Sequence, residues 1–197
     1  MSVPAEAKAA LRREVRARVA RLTPEQRGEA ADQFFQRVTT WSVWREARTV
    51  LLTWSLPDEL SATGLIAAAL AEGRRVALPG FDAASGQYVA YEVNHHEQDL
   101  VPGKFGIREP HPDLLKVFLT ELDLVIVPGV AFDATGNRLG RGRGFYDRLL
   151  GEASGADFCG IGFDEQIVSR VPVEPHDIQL HYLLTPSRVV TCRAAEC

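Results

Sequence analysis

Glycine and arginine alternate in one segment of the chain, and this segment holds the residue types best suited to chemistry. Residues 127–150 read VPGVAFDATGNRLGRGRGFYDRLL. Glycine allows a ligand to approach the backbone closely, and successive N–H groups in such a loop can converge on an anion. The segment therefore predicts a binding site for a compact polyphosphate, built from Gly136, Arg138, Gly140, Arg141, Gly142, Arg143 and Gly144.

The spacing matches neither standard phosphate motif, so other interpretations stay open. The segment lacks the Lys-Ser/Thr pair of a P-loop, and its glycines are spaced G-x-G-x-G instead of G-x-G-x-x-G. A solvated surface loop and an Arg/Gly contact to RNA are the alternatives, although an apolar helix follows at once. Asp147 has two interpretations, a magnesium ligand beside phosphates or an acid that stabilises a helix N-terminus.

Strands and helices that alternate along the chain must position this loop. The run 124–127 is apolar and predicts a strand buried on both faces, directly before the loop. Further strands are predicted at 49–54, 75–79, 88–93, 158–163 and 182–185, and helices at 5–22, from 24 to 35 or 38, 61–72, 113–121 and 145–150, with a loop over 94–112. This order predicts one α/β domain over 1–197, a three-layer α/β/α fold with a mostly parallel sheet and helices on both faces.

Composition and charge exclude several classes of protein. Residues 1–50 carry ten basic against six acidic side chains, whereas the whole 197-residue chain has a net charge of −4. The chain after residue 50 is therefore acidic, which disfavours extended nucleic acid as a partner. No apolar run is long enough to span a membrane. Three cysteines without a C-x-x-C pair, and an N-terminus without a secretory signal, favour a cytoplasmic protein. Cys159 is interpreted as a small buried hydrophobe.

Five segments, taken in order, resemble the 5-formyltetrahydrofolate cyclo-ligase family, also called methenyltetrahydrofolate synthetases. The most specific is GVAFDATGNRLGRGRGFYDRLL, and the resemblance covers almost the whole chain. The other four are the start of the basic first helix, the residues after the first strand and two later proline-containing stretches, namely Lys8–Arg12, Trp54–Glu59, Gly106–Pro110 and Val171–Asp177.

The resemblance implies an enzyme that uses ATP and Mg²⁺ to convert 5-formyltetrahydrofolate to 5,10-methenyltetrahydrofolate, with release of ADP and phosphate. Phosphorylation of the formyl oxygen would activate the formyl carbon for attack by N10. Such chemistry asks a protein mainly for positioning and charge neutralisation. The expected partners are therefore 5-formyltetrahydrofolate and ATP, without nucleic acid or membrane. The expected state is a monomer or weak homo-oligomer.

The resemblance also implies roles for individual residues. Those expected to bind ATP are Lys8, Arg12, Arg138, Gly140, Gly142 and Gly144. Those expected to bind the folate are Trp54, Glu59, Arg141, Gly142, Arg143, Gly144 and Phe145. Catalytic roles are expected for Arg143, Arg141 and Tyr146, and metal ligation for Asp147 and Asp177. The family often has Lys where this chain has Arg143, and Tyr where it has Phe145.

Simpler interpretations of the same residues remain. Lys8 and Arg12 could form the solvated face of a basic helix, Glu59 could be an acid before a helix, and Asp177 could belong to a turn. Two other functions are kept as alternatives: a non-catalytic module that binds RNA or a phosphorylated ligand, and an ATP-using enzyme with a substrate other than folate.

Overall fold

The computed structural model describes residues 3–103, 107–142 and 144–192. Its helices are α1 (Val3–Val19), α2 (Pro24–Thr40), α3 (Ser42–Glu46), α4 (Gly64–Ala71) and α5 (Phe145–Glu152). Its strands are β1 (Thr49–Leu51), β2 (Arg75–Asp82), β3 (Gln87–Val93), β4 (Leu100–Pro102), β5 (Arg108–Pro110), β6 (Lys116–Val117), β7 (Leu124–Pro128), β8 (Ala131–Phe132), β9 (Arg138–Leu139), β10 (Asp157–Ile161), β11 (Tyr182–Leu184) and β12 (Val189–Thr191).

An eight-stranded sheet forms the centre, in the order β12-β11-β10-β7-β1-β2-β3-β6. Its five central strands, from β11 to β2, are parallel, and the strands at both edges are antiparallel. Because β1 and β7 are parallel neighbours, the loops that follow them leave the same edge of the sheet side by side. In open α/β sheets this carboxyl edge is where ligands bind.

Two apolar cores cover the two faces of the sheet. Alternate residues of β7 point to opposite sides: Ile126 belongs to the core beneath α1 to α4, and Val127 to the core beneath α5. The predicted three-layer α/β/α arrangement is therefore confirmed. Among the described residues no helix has both the length and the apolar character needed to cross a bilayer.

Two of the predicted segments differ from the structure. Residues 113–121, predicted as a helix, contain the edge strand β6 and a single 3₁₀ turn at Leu119–Glu121, because Val117 pairs with Ala90 at the end of the sheet. The predicted loop 94–112 contains the two-stranded β4–β5 sheet, in which Leu100 lies opposite Pro110. Strands of two or three residues are too short to produce a recognisable alternation in sequence.

Candidate active site

A cleft of about 1040 Å³ opens at the carboxyl edge of the parallel strands, between the loops that follow β1 and β7. Every described residue to which the resemblance gives a role lines this cleft: Lys8, Arg12, Trp54, Glu59, Arg138, Gly140, Arg141, Gly142, Gly144, Phe145, Tyr146, Asp147 and Asp177. Gly136, which the polyphosphate prediction also included, does not line it. Arg143, the remaining member, lies outside the described residues. The structure thus brings together side chains from both ends of the chain.

Helix α1 closes one side of the cleft with Lys8 and Arg12, which lie one turn apart. Lys8 is buried and donates from Nζ to Asp177 Oδ2 at 2.6 Å and to Glu174 Oε2 at 2.8 Å. Burial alone would lower the pKa of Lys8, but the hydrogen bonds to Asp177 and Glu174 outweigh it and raise the pKa above its ordinary value. The interpretation of Lys8 as part of a solvated helix face is therefore wrong.

Arg12 joins α1 to the Gly/Arg loop. Its Nε donates to the carbonyl oxygen of Gly140 at 2.9 Å. A Cβ on Gly142, whose φ is +99°, would stand 3.5 Å from an Arg12 guanidinium nitrogen. Burial and the nearby charge of Arg16 lower the pKa of Arg12. Arg12 therefore brings the basic helix into direct contact with the Gly/Arg loop.

The loop itself is folded on a short hairpin, β8–β9, whose turn is organised by Asp133. This buried carboxylate accepts hydrogen bonds from the backbone of Thr135, Asn137 and Val171. Burial alone would raise the pKa of Asp133, but bonds from Thr135, Val171 and Asn137 lower it below its usual range. The hairpin places Arg138 on β9, inside the protein, so the Gly/Arg segment is not simply a solvated loop.

Arg138, which is buried, and Tyr146, which is half-buried, lie together in the wall of the cleft. Arg138, with only 4% of its side chain exposed, donates from Nη2 to Asp147 Oδ1 at 2.8 Å. Its guanidinium carbon lies 5.7 Å from the centre of the Tyr146 ring. Burial raises the pKa of the Tyr146 phenol, while a hydrogen bond with Thr53 acts in the opposite sense. At neutral pH Tyr146 is therefore an uncharged phenol.

Arg141 connects the two loops at the mouth of the cleft. It donates from Nη2 to Asp58 Oδ1 at 2.6 Å and from Nε to Glu59 Oε1 at 3.1 Å. Glu59 also accepts from the backbone N–H of Leu56, which fixes the turn after β1. Burial would raise the pKa of Asp58, but the hydrogen bond from Arg141 lowers it. Arg141 is therefore already bound to two carboxylates before any ligand reaches the cleft.

Two aromatic side chains that contact each other also line the cleft. Tyr88 on β3 and Phe145 at the start of α5 have ring centres 4.4 Å apart. Tyr88 also contacts Phe81, with ring centres 5.3 Å apart, and it is still 42% exposed, so part of its surface is accessible to a ligand. We call this pair the aromatic wall. Trp54 also lines the cleft, and the guanidinium of Arg108 lies 6.0 Å from its ring centre.

The sequence interpretation missed the acidic partners of the basic residues. Asp58 and Glu174 lie in two of the segments that resemble the family, but neither was expected to pair with a cation of the site. Among the described residues five basic side chains and six carboxylates line the cleft. The two described arginines of the loop, Arg138 and Arg141, are thus neutralised by the protein's own acids, whereas the alternation of Gly and Arg indicated only positive charge.

The fold and the cleft together define an α/β protein that binds small ligands at the carboxyl edge of its sheet. Comparison with known proteins makes this specific. The sequence profile described as the 5-formyltetrahydrofolate cyclo-ligase family matches residues 4–186. The chain belongs to this family and is an enzyme of that class.

Relatives and solved structures agree with this assignment. The 5-formyltetrahydrofolate cyclo-ligase of Escherichia coli K12 is 38% identical over 178 residues, which cover 89% of this chain and 98% of the relative. That of Mycolicibacterium smegmatis is 37% identical over 145 residues, covering 72% and 75%. The NMR structure of Aquifex aeolicus 5,10-methenyltetrahydrofolate synthetase superposes with a TM-score of 0.84 at 29% identity, covering 96% of this chain and 95% of that one.

Proposed function

We propose that the enzyme uses ATP and Mg²⁺ to cyclise 5-formyltetrahydrofolate to 5,10-methenyltetrahydrofolate, with release of ADP and phosphate. The observation that carries the proposal is that one cleft collects every described residue to which the resemblance gives a role. Its volume of about 1040 Å³ lies at the top of the range for a pocket that holds one drug-sized ligand. Two substrates bound side by side would use it fully.

ATP is assigned to the end of the cleft formed by α1 and the Gly/Arg loop. Lys8, Arg12 and Arg138 bring three cations to this end, and the positive φ of Gly142 keeps the backbone open beside Arg12. The cations are already paired or hydrogen-bonded, so the phosphates must compete with Asp177, Glu174 and Asp147 for them. Binding of the bare nucleotide is therefore expected to be weak.

The donor set fits Mg²⁺ carried by the nucleotide. Among the described residues no group of three or more His, Cys, Asp or Glu side chains could enclose a metal. Mg²⁺ is usually held by one or two carboxylates together with phosphate oxygens and water. Asp147 and Asp177 line the same cleft, and they would hold the ion. When bound, Mg²⁺ supplies charge neutralisation for the phosphates.

The folate is assigned to the end formed by Trp54, Glu59 and the aromatic wall. The formyl oxygen attacks the γ-phosphorus of ATP, the bond from phosphorus to ADP breaks, and ADP leaves. N10 then attacks the activated formyl carbon, the carbon–oxygen bond breaks with release of phosphate, and N10 loses its proton. Arg141, held at the mouth by Asp58 and Glu59, neutralises charge on the transferred group. For Arg143 the same role remains a prediction.

In this scheme Tyr146 positions the Arg138 guanidinium and does not transfer a proton. Because its phenol stays protonated and lies under the Arg138 guanidinium, it supports the cation that faces the phosphates. We place the enzyme in the cytoplasm with small molecules as its partners. The paired state of Arg138 and Arg141 does not favour an RNA-binding module that uses the Gly/Arg loop, because both of these described loop arginines are already bound to carboxylates.

The proposal is tested by mixing enzyme, ATP, Mg²⁺ and 5-formyltetrahydrofolate and following the absorbance of the methenyl product. We expect product only when all four components are present, with one ADP released per methenyl group formed. Reactions without ATP or without Mg²⁺ are the controls. Absence of product at saturating ATP and Mg²⁺, or product formed without ADP, would contradict the proposal.

A further inference from the structure

One cation of the cleft has a different environment from the others. Lys8, Arg138 and Arg141 are held by carboxylates, and Arg12 is held by the Gly140 carbonyl. Arg148 on α5 also lines the cleft, is exposed and, within the part of the chain that the structure describes, makes no ion pair or hydrogen bond through its side chain. It can bind an incoming anion without giving up a contact.

The position of Arg148 relates it to the aromatic wall. Phe145 and Arg148 are three residues apart on α5, so their side chains lie on neighbouring parts of one helix face. Phe145 in turn contacts Tyr88 at 4.4 Å between ring centres. The Arg148 guanidinium folds back toward the start of the helix, where its Nη1 lies 3.3 Å from the place that a Cβ on Gly144 would take.

The substrate of the proposed function presents the matching chemistry. A 5-formyltetrahydrofolate molecule carries, beyond N10, a flat p-aminobenzoyl ring and then a glutamate with two carboxylates. A flat ring suits an exposed aromatic face, and a guanidinium suits a carboxylate. We propose that the ring lies against the aromatic wall and that Arg148 binds a carboxylate of the glutamate. This inference rests on the proposed function and adds a specificity-determining residue to it.

Arg148 could instead bind the phosphates of ATP. Steady-state kinetics distinguishes a contact to the folate carboxylate from a contact to these phosphates. The variants are Arg148→Ala and Arg148→Lys, with Arg13→Ala, on an exposed position of α1 outside the cleft, as the matched control. We expect Arg148→Ala to raise the KM for 5-formyltetrahydrofolate about tenfold, as for the loss of a charge-assisted hydrogen bond, with kcat within about twofold of the wild type. The KM for ATP stays unchanged, and Arg148→Lys recovers part of the loss.

Two further measurements separate a carboxylate contact from a structural effect. The compound 5-formyl-6-methyltetrahydropterin lacks both the p-aminobenzoyl ring and the glutamate. Its inhibition constant is expected to be the same in wild type and Arg148→Ala. Raising the ionic strength from about 0.05 M to about 0.5 M is expected to narrow the difference in folate KM between them, because salt screens an exposed contact. An unchanged folate KM in Arg148→Ala, or a rise in the ATP KM instead, overturns the proposal.

Folate binding without ATP keeps this test independent of turnover. Titration of each protein with 5-formyltetrahydrofolate, followed by tryptophan fluorescence, uses Trp54 in the cleft as the reporter. Weaker binding by Arg148→Ala than by Arg13→Ala supports the role of Arg148 even where no product forms. Equal binding by the two variants contradicts it, whatever the wild-type activity is.

Discussion

Lys8→Met is expected to weaken ATP binding by more than about 100-fold and to lower the free energy of unfolding by about 2–4 kcal/mol. Methionine keeps the length of the side chain but leaves Asp177 and Glu174, which now bind Nζ at 2.6 and 2.8 Å, without their cation. The loss arises mainly from these two partly buried carboxylates. Titration with ATP and Mg²⁺, and denaturant unfolding, measure the two effects.

The stability effect of Lys8 has a definite pH dependence. The pKa of Lys8 is raised, so its contribution is complete below the unfolded value of about 10.4 and is lost as the pH rises past the folded value. The pKa of Asp177 is lowered, so its contribution is complete above the unfolded value of about 3.9 and is lost as the pH falls. The difference in unfolding free energy between wild type and variant is therefore flat between about pH 5 and 9.

Lys116→Met is the matched control for Lys8→Met. Lys116 also pairs with an aspartate, Asp82, at 2.8 Å, but half of its side chain is exposed and it lies outside the cleft. We expect a much smaller loss of stability and unchanged ATP binding. Equal losses in the two variants would show that the burial of Lys8 has no special importance. Unchanged ATP binding in Lys8→Met would remove Lys8 from the nucleotide site.

Asp147→Asn is expected to reduce kcat by about 100- to 1,000-fold while the fold is kept. Asparagine has the same size and can still accept a hydrogen bond from Arg138, which now reaches Asp147 Oδ1 at 2.8 Å. It lacks the charge that Mg²⁺ requires and that balances the buried guanidinium. We therefore also expect a higher Mg²⁺ concentration for half-maximal activity and a stability loss of about 2 kcal/mol.

Steady-state rates measured against Mg²⁺ concentration test this prediction. Asp113→Asn makes the same chemical change at a carboxylate that is 87% exposed, and it should behave as the wild type. Circular dichroism of both variants checks that the fold is retained. Wild-type turnover in Asp147→Asn, with an unchanged dependence on Mg²⁺, would show that Asp147 is not a metal ligand.

Much of the fold could be predicted because local rules decide it. Thr23, Pro24 and Gln26 predict the start of α2, and the structure contains the capping box, with Gln26 N–H to Thr23 Oγ1 at 3.3 Å and Thr23 N–H to Gln26 Oε1 at 2.9 Å. Strand β7 could be predicted from another local feature, its continuous apolar run at residues 124–127. The prediction failed at residues 113–121, where pairing with β3 overrides the local sequence.

The ion pairs of the site could not be predicted from local patterns. Lys8 and Asp177 are 169 positions apart, and only the order of the strands brings α1 to the turn that holds Asp177. The residue types indicated a basic helix and a basic loop, and both line the cleft. The pairing of their cations with Asp58, Asp147, Glu174 and Asp177 depends on the folded arrangement, and it changes the expected behaviour of the site.

This pairing gives a physical reason why the proposed metal and nucleotide would bind together. In the free protein the acids of the cleft neutralise its cations, so a bare polyphosphate meets little net positive charge. A divalent cation on Asp147 and Asp177 would add positive charge where the phosphates bind and free Lys8 and Arg138 to contact them. The local balance of charge, and not the net charge of −4 of the whole chain, decides which ligands bind.

The central claim is that the formyl oxygen of the folate accepts the γ-phosphoryl group of ATP within this cleft. Its most direct test uses 5-formyltetrahydrofolate labelled with ¹⁸O in the formyl group, in a single turnover with ATP and Mg²⁺ in unlabelled water. Mass spectrometry of the products is expected to find one ¹⁸O in each released phosphate and none in ADP. Unlabelled phosphate, formed together with the methenyl product, would contradict the claim.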